Sequence, residues 1–102
     1  MRLMVFFDLP VVAKKDRRIY SRFRKFLLRD GYDMIQFSVY ARICNGQDAV
    51  NKHLARLMGN APPKGSVRCL QVTEKQFTAI KVLVGEKKEK EKPKYTAQLS
   101  FF

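Results

Sequence analysis

Histidine, cysteine and acid are all scarce in this chain, and each scarcity closes off a class of function. His53 is the only histidine, and Cys44 and Cys69 stand far apart in apolar segments with no Cys-x-x-Cys pattern. The two thiols therefore read as buried and reduced, not as a disulfide or a metal site. No apolar run approaches the ~18 residues that crossing a bilayer takes. Asp8 and Pro10 interrupt the apolar N-terminus, and no small-residue cleavage site follows, so a secretory signal is not expected and the expected location is cytoplasmic. The lack of one long helix with basic and bulky apolar faces weighs against a membrane surface as partner. Acidic residues number only 9 against 21 Lys+Arg, leaving a net charge of +12 and a pI near 10.1. Such an excess favours polyanions, of which nucleic acid is the commonest.

What is present is a globular composition, 46% hydrophobic with 8 Phe and 4 Tyr in 102 residues, enough for one domain with a single core. The apolar run Leu3-Met4-Val5-Phe6-Phe7 reads as a buried first strand over residues 2–8, ended by Asp8 and followed by Leu9-Pro10. A carboxylate where a strand leaves a sheet is well placed to hold a metal ion against a polyphosphate. A turn or helix-capping aspartate is the plain alternative. A helix is predicted from Lys14 to Arg29, with Ile19, Phe23, Phe26 and Leu27 at i, i+4, i+7 and i+8, and Gly31 placed to stop it. Arg18, Arg22, Lys25 and Arg29 fall on one flank of this helix and Arg17 and Arg24 on the other. Solvated faces normally mix signs, so this one-sided charge is a binding signal. Lys14, Lys15, Arg17, Arg18 and Arg22, at the helix start, are the expected phosphate contacts.

Residues 34–43 alternate as a strand, with Ile35, Phe37, Val39, Ala41 and Ile43 on one side and Gln36, Ser38, Tyr40 and Arg42 on the other. A second helix is expected over 47–58, a strand over 67–73, a short turn or helix over 74–78 and a fourth strand over 79–84. His53 is expected at the surface. The simplest closed solution is an α+β, ferredoxin-like split β-α-β sandwich with helices on one sheet face. Both alternate sets of the first strand are apolar, so something must cover the other face, and a symmetric homodimer through the sheet faces does so. Asp8 shares parity with Met4 and Phe6, which would bring two Asp8 side chains near the two-fold axis. The expected organisation is a domain over 1–85, a charged linker over 86–94 and a C-terminal docking strand over 95–102 that joins its own sheet, the dimer mate or another protein.

Four segments together resemble a known family. Phe6-Phe7-Asp8-Leu9-Pro10, Tyr20-x-x-Phe23-Arg24-Lys25-Phe26-Leu27, Gly31-Tyr32-x-x-Ile35-Gln36-Phe37-Ser38-Val39-Tyr40 and Val72-Thr73-Glu74-Lys75-Gln76-Phe77 are similar to the CRISPR-associated protein two (Cas two) family. The likeness runs over roughly residues 3–85 and is closest to the branch found with effector nucleases. It implies a ferredoxin-like homodimer whose last strand crosses to the partner's sheet. It implies a bridge between dimers of the Cas one integrase during spacer acquisition. It also implies a metal-dependent endonuclease on single-stranded RNA or double-stranded DNA, with Mg2+ held at Asp8 and with Ser38 and Tyr40 as site neighbours. Two positions depart from the family pattern: Met34 stands where some nuclease-active members carry a basic residue, and Phe7 where a Tyr often precedes the aspartate.

Chemistry alone permits a sparse magnesium site, because that ion keeps several waters and often needs only one or two carboxylates plus phosphate, but no second acid, Asp-Glu cluster or placed His adds to it. A scaffold on duplex DNA needs only the basic ridge, and nothing in the chain suggests base reading. An RNA-recognition module is disfavoured because residues 67–72 lack its stacking aromatics. A toxin-type endoribonuclease related to virulence-associated protein D is the alternative that shares this fold and dimer.

Overall fold

The computed structural model of the chain describes residues 1–85; the expected linker at 86–94 and docking strand at 95–102 lie outside the described residues. The elements run β1 (Arg2–Asp8), α1 (Lys14–Arg29), β2 (Asp33–Gln36), β3 (Val39–Ile43), α2 (Gln47–Gly59), β4 (Ser66–Val72) and α3 (Glu74–Thr78). The sheet order is β2-β3-β1-β4, and every neighbouring pair is antiparallel. β1 and β2 are therefore parallel with β3 between them, and β3 and β4 are parallel with β1 between them. These are two interleaved split β-α-β units, an α+β arrangement compatible with the ferredoxin-like expectation.

Strand parity builds the core. Leu3, Val5 and Phe7 of β1 pack with Phe23 and Leu27 of α1, Tyr40 of β3, and Val50 and Leu57 of α2. Phe7 anchors it, edge-on to Phe23 at 5.2 Å and stacked on Tyr40 at 5.6 Å between ring centres. Such ring pairs add about 0.5–1.5 kcal/mol each beyond the area they bury. The predicted stop of α1 is realised: Gly31, at φ +92°, donates to the Leu28 carbonyl while Tyr32 donates to that of Leu27. That double closure satisfies two end carbonyls, and the left-handed residue it needs is a glycine.

The segment expected as one strand over 34–43 is a hairpin. The chain turns at Phe37-Ser38, with Gln36 paired to Val39 and Ser38 at φ 63°. No Gly, Asn or Asp marks this turn, and the alternation continues across it, which is why the sequence reads straight through. Ile35, Val39 and Ala41 do share a face, but Phe37 at the turn is 84% exposed. Tyr40, placed by alternation on the side of Gln36, Ser38 and Arg42, points into the helix-covered core and is 1% exposed.

The strand expected over 79–84 does not form in the described chain. A strand needs a ladder to satisfy its backbone, and no β-strand pairing in the sheet involves these residues. Ile80, Val82, Leu83 and Val84 instead run beside residues 34–37 with their side chains largely exposed. On the sheet face away from α1 and α2, α3 is the one helix among the described residues that gives cover. Its Phe77 packs on Met4 and Ala41, while Leu70 is left 53% exposed. A capping box at Thr73 and Gln76 starts α3, and Arg2 pins it, paired with Glu74 at 2.7 Å and lying 4.2 Å over the Phe77 ring.

Candidate nucleic-acid and metal site

Asp8 closes β1 between unequal neighbours. On one side it faces Ser66 of β4; on the other, the β3 pairing ends at Val39, opposite Phe6. Residues paired across strands, or two apart along one, share a face. Asp8 therefore lies with Phe6, Val39, Ser66 and Arg68 on the face away from α1 and α2. Together with Phe7 and Ser38 these residues line an open cleft of ≈ 470 Å³. The Phe7 N–H donates to the Ser38 carbonyl at 3.0 Å, which holds the left-handed Ser38 beside the strand end. Gly65 lets the loop before β4 run against the Asp8 backbone.

The Asp8 carboxylate is exposed and, among the described residues, has no hydrogen-bond or ion-pair partner. With the Ser38 and Ser66 hydroxyls it makes an all-oxygen donor set, suited to a hard cation such as Mg2+. Among the described residues there is no group of three His, Cys, Asp or Glu that could cage a metal. The chain alone thus fits a largely hydrated ion held by one carboxylate, with phosphate or a second Asp8 completing it. Of the two expected neighbours, Ser38 is in the cleft and Tyr40 is not, since its ring is buried beneath Phe7.

Along α1 the cations gather in a groove of ≈ 620 Å³ lined by Lys14, Arg17, Arg18, Ser21, Arg22, Lys25, Phe26, Arg29 and Asn60. Four expected contacts, Lys14, Arg17, Arg18 and Arg22, are therefore brought together, and Lys15 lies outside the lining. Arg17, assigned to the opposite flank by helical spacing, is drawn in by donating to the Val11 and Val12 carbonyls. No acid lines the groove, and none of its six cations forms an ion pair among the described residues. Ala13 caps α1 without a side-chain acceptor, so first-turn N–H groups are open to solvent or anions beside Lys14. Sequence reasoning missed Ser66, Arg68 and Gly65 at the cleft, because the β1–β4 register that sets them beside Asp8 is not visible in the chain. Lys25 and Arg29 were visible as part of the basic flank.

His53 is buried, against expectation, and its partner is Asp30 at the end of α1. Its Nδ1 lies 2.9 Å from Asp30 Oδ2, Arg56 Nε donates to Oδ1 at 2.8 Å, and Arg42 donates to the Asp30 carbonyl. This cluster ties α1, β3 and α2 together behind the groove. The Tyr32 hydroxyl beside it is buried without a partner among the described residues, and burial, then the Asp30 charge, push its pKa upward. Cys44 is buried as expected, but Cys69 is exposed on the edge strand β4.

The sequence pattern of the family described as CRISPR associated protein Cas2 matches residues 1–80. The chain is 62% identical over 102 residues to the CRISPR-associated endoribonuclease Cas2 of Acidovorax ebreus (strain TPSY), covering 100% of both. It is 45% identical over 89 residues to the protein of that name from Lacticaseibacillus rhamnosus, covering 87% of this chain and 88% of the relative. The Flavobacterium psychrophilum protein of that name is 41% identical over 100 residues, covering 98% and 86% respectively.

Proposed function

The chain belongs to the CRISPR-associated protein Cas2 family, and from that premise we propose that it acts in CRISPR adaptation as a homodimer. In this reading it holds duplex DNA, bridges dimers of the Cas one integrase, and carries a magnesium-dependent endonuclease centre at Asp8. The observation that carries the DNA-binding part is the α1 groove. Among the described residues, six like charges there have neither an acid among them nor an ion-pair partner. Uncompensated cations on a rigid helix lose little on meeting phosphates and release the counterions of the duplex. Backbone contacts of this kind fix position without reading bases, which suits DNA of arbitrary sequence.

The nuclease part takes its support from the relatives' shared name, endoribonuclease, and from the all-oxygen cleft. Asp8 would hold the ion, with Ser38 and Ser66 orienting its waters. When bound, Mg2+ supplies positive charge at the phosphoryl oxygens and eases the ionisation of water. RNA is the substrate the relatives' name favours. The homodimer is supported by the face that carries Asp8, where Leu70 and Ile43 are exposed and α3 is the one covering helix among the described residues. Pairing two copies through that face would bring the two Asp8 carboxylates toward one another.

Duplex binding across a salt series tests the reading. Two duplexes of unrelated sequence should bind alike, with log K falling linearly against log salt at a slope of about −4 to −5 for roughly five phosphates engaged. A strong preference for one duplex at fixed salt, or a flat salt response, would overturn it.

A further inference from the structure

The Asp8 cleft contains a cation that the reading above has not used. Arg68 lies opposite Phe6 in the β1–β4 ladder, and Ser66 lies opposite Asp8. Arg68 is therefore the diagonal neighbour of Asp8 on one sheet face, about 7–8 Å away at the backbone, within reach of a long side chain. Both residues are exposed and line the same cleft. They do not pair with each other, and among the described residues neither side chain has a hydrogen-bond or ion-pair partner.

We infer that Arg68 is the phosphate-binding residue of the Asp8 cleft, gripping the phosphodiester presented to the carboxylate. This rests on the reading of the cleft as a nuclease centre, and three observations carry it. The first is location: Arg68 is the single cation among the residues that line the cleft. The α1 cations line a different groove, in the helical layer, so they can hold a nucleic acid without placing a phosphate at Asp8. The second is complementarity. A free carboxylate beside a free guanidinium is matched by a ligand bearing both charges, a phosphodiester that brings a divalent cation. The third is side-chain type. The planar guanidinium fork grips two phosphate oxygens at once, where an ammonium would act as a point charge. The site asks nothing of the base, so a single-stranded phosphodiester of any sequence fits it. Arg68 binds and orients the phosphate and takes no part in bond making. The competing role for an exposed arginine on edge strand β4 is to keep other strands from pairing there.

A trinucleotide RNA in EDTA, followed residue by residue, separates the grip from the metal and tells the cleft from the α1 groove. Amide shifts on titration should map to Ser66, Arg68 and Asp8 in the wild type. They should weaken about 10- to 100-fold in affinity in Arg68→Ala, the loss expected for a charge-assisted contact, and recover in part in Arg68→Lys. Lys52→Ala, an exposed cation of α2 that lines neither the cleft nor the groove, should leave this titration unchanged. With magnesium and a longer single-stranded RNA, Arg68→Ala should raise KM more than it lowers kcat, while Asp8→Ala abolishes turnover. Sedimentation of each variant shows whether the fold and association state are intact. Unchanged trinucleotide affinity in a folded Arg68→Ala protein overturns the inference even if Asp8→Ala is dead. Wild-type cleavage by Asp8→Ala overturns the nuclease reading, while the titration still decides whether Arg68 binds phosphate. An effect of Arg68→Ala that follows only from a lost association state assigns the residue to an interface and overturns the inference too.

Discussion

A Cβ on Gly65 would stand 2.6 Å from the carbonyl oxygen of Asp8 and 2.7 Å from Leu9 Cδ2, so the loop entering β4 is packed on the backbone of Asp8. Gly65 is also at φ +87°, where an L side chain is strained. These two facts make a glycine outside the cleft a determinant of where its carboxylate sits.

Gly65→Ala should therefore cost roughly 1–3 kcal/mol, from the left-handed backbone and a close contact that only a backbone shift can relieve. Denaturant unfolding measures that loss. Cleavage that depends on Asp8 should fall further than stability does, because the shift moves the carboxylate against Ser66. Substitution at Gly46, whose added Cβ meets nothing within 4 Å, should share only the backbone penalty.

Tyr32 offers a test of burial against charge. Its hydroxyl is buried without a partner among the described residues, and desolvation, with Asp30 second, raises its pKa above the ordinary value near 10. A raised folded-state pKa means that the unfolded chain gives up the proton first. The stabilising contribution is therefore complete below about pH 10 and is lost as pH rises beyond it. Tyr32→Phe should be neutral or slightly stabilising at pH 7, since it removes an unsatisfied group. It should also flatten the fall in stability above about pH 10. A wild-type-like alkaline limb in the variant would assign that limb to other groups.

The sequence was most legible where one periodicity met one stop signal. α1 runs from Lys14 to Arg29 as its i, i+4, i+7 pattern and Gly31 indicate, and β1 ends at Asp8 where the apolar run ends. It was least legible where geometry depends on partners far along the chain. The Phe37-Ser38 turn carries no Gly, Asn or Asp, so the hairpin is set by pairing with β1 and by packing of Tyr40 more than by local propensity. His53 looked like a helix-flank residue because its partner, Asp30, is supplied by the end of another helix. Asp8 stood out from β1 alone, but Ser66 and Arg68 join it only through a register that no single strand specifies.

The thiols should separate cleanly. Cys69 is exposed on β4 and Cys44 is buried in the core. A thiol reagent applied to the native protein should modify Cys69 within minutes and reach Cys44 only on unfolding. Protection of Cys69 in the native state would mean that another segment or another copy covers the β4 edge. The Cys69→Ser variant should then identify whether the remaining slow phase belongs to Cys44.

Asp8→Ala separates the two proposed activities most directly, because the carboxylate and the α1 groove share no residues. Asp8 is exposed and unpaired among the described residues, so its removal leaves no buried group unsatisfied and should change stability by less than about 0.5 kcal/mol. Duplex affinity and its salt slope should be kept, since phosphate contacts along α1 are untouched. Magnesium-dependent cleavage should be lost, because no second acid among the residues lining the cleft can replace it. Spacer integration with the partner integrase then decides what the carboxylate is for. Integration that survives makes hydrolysis dispensable to adaptation and leaves the DNA-holding surface as the working part. Integration that fails in a folded, duplex-binding protein makes the Asp8 cleft part of adaptation itself.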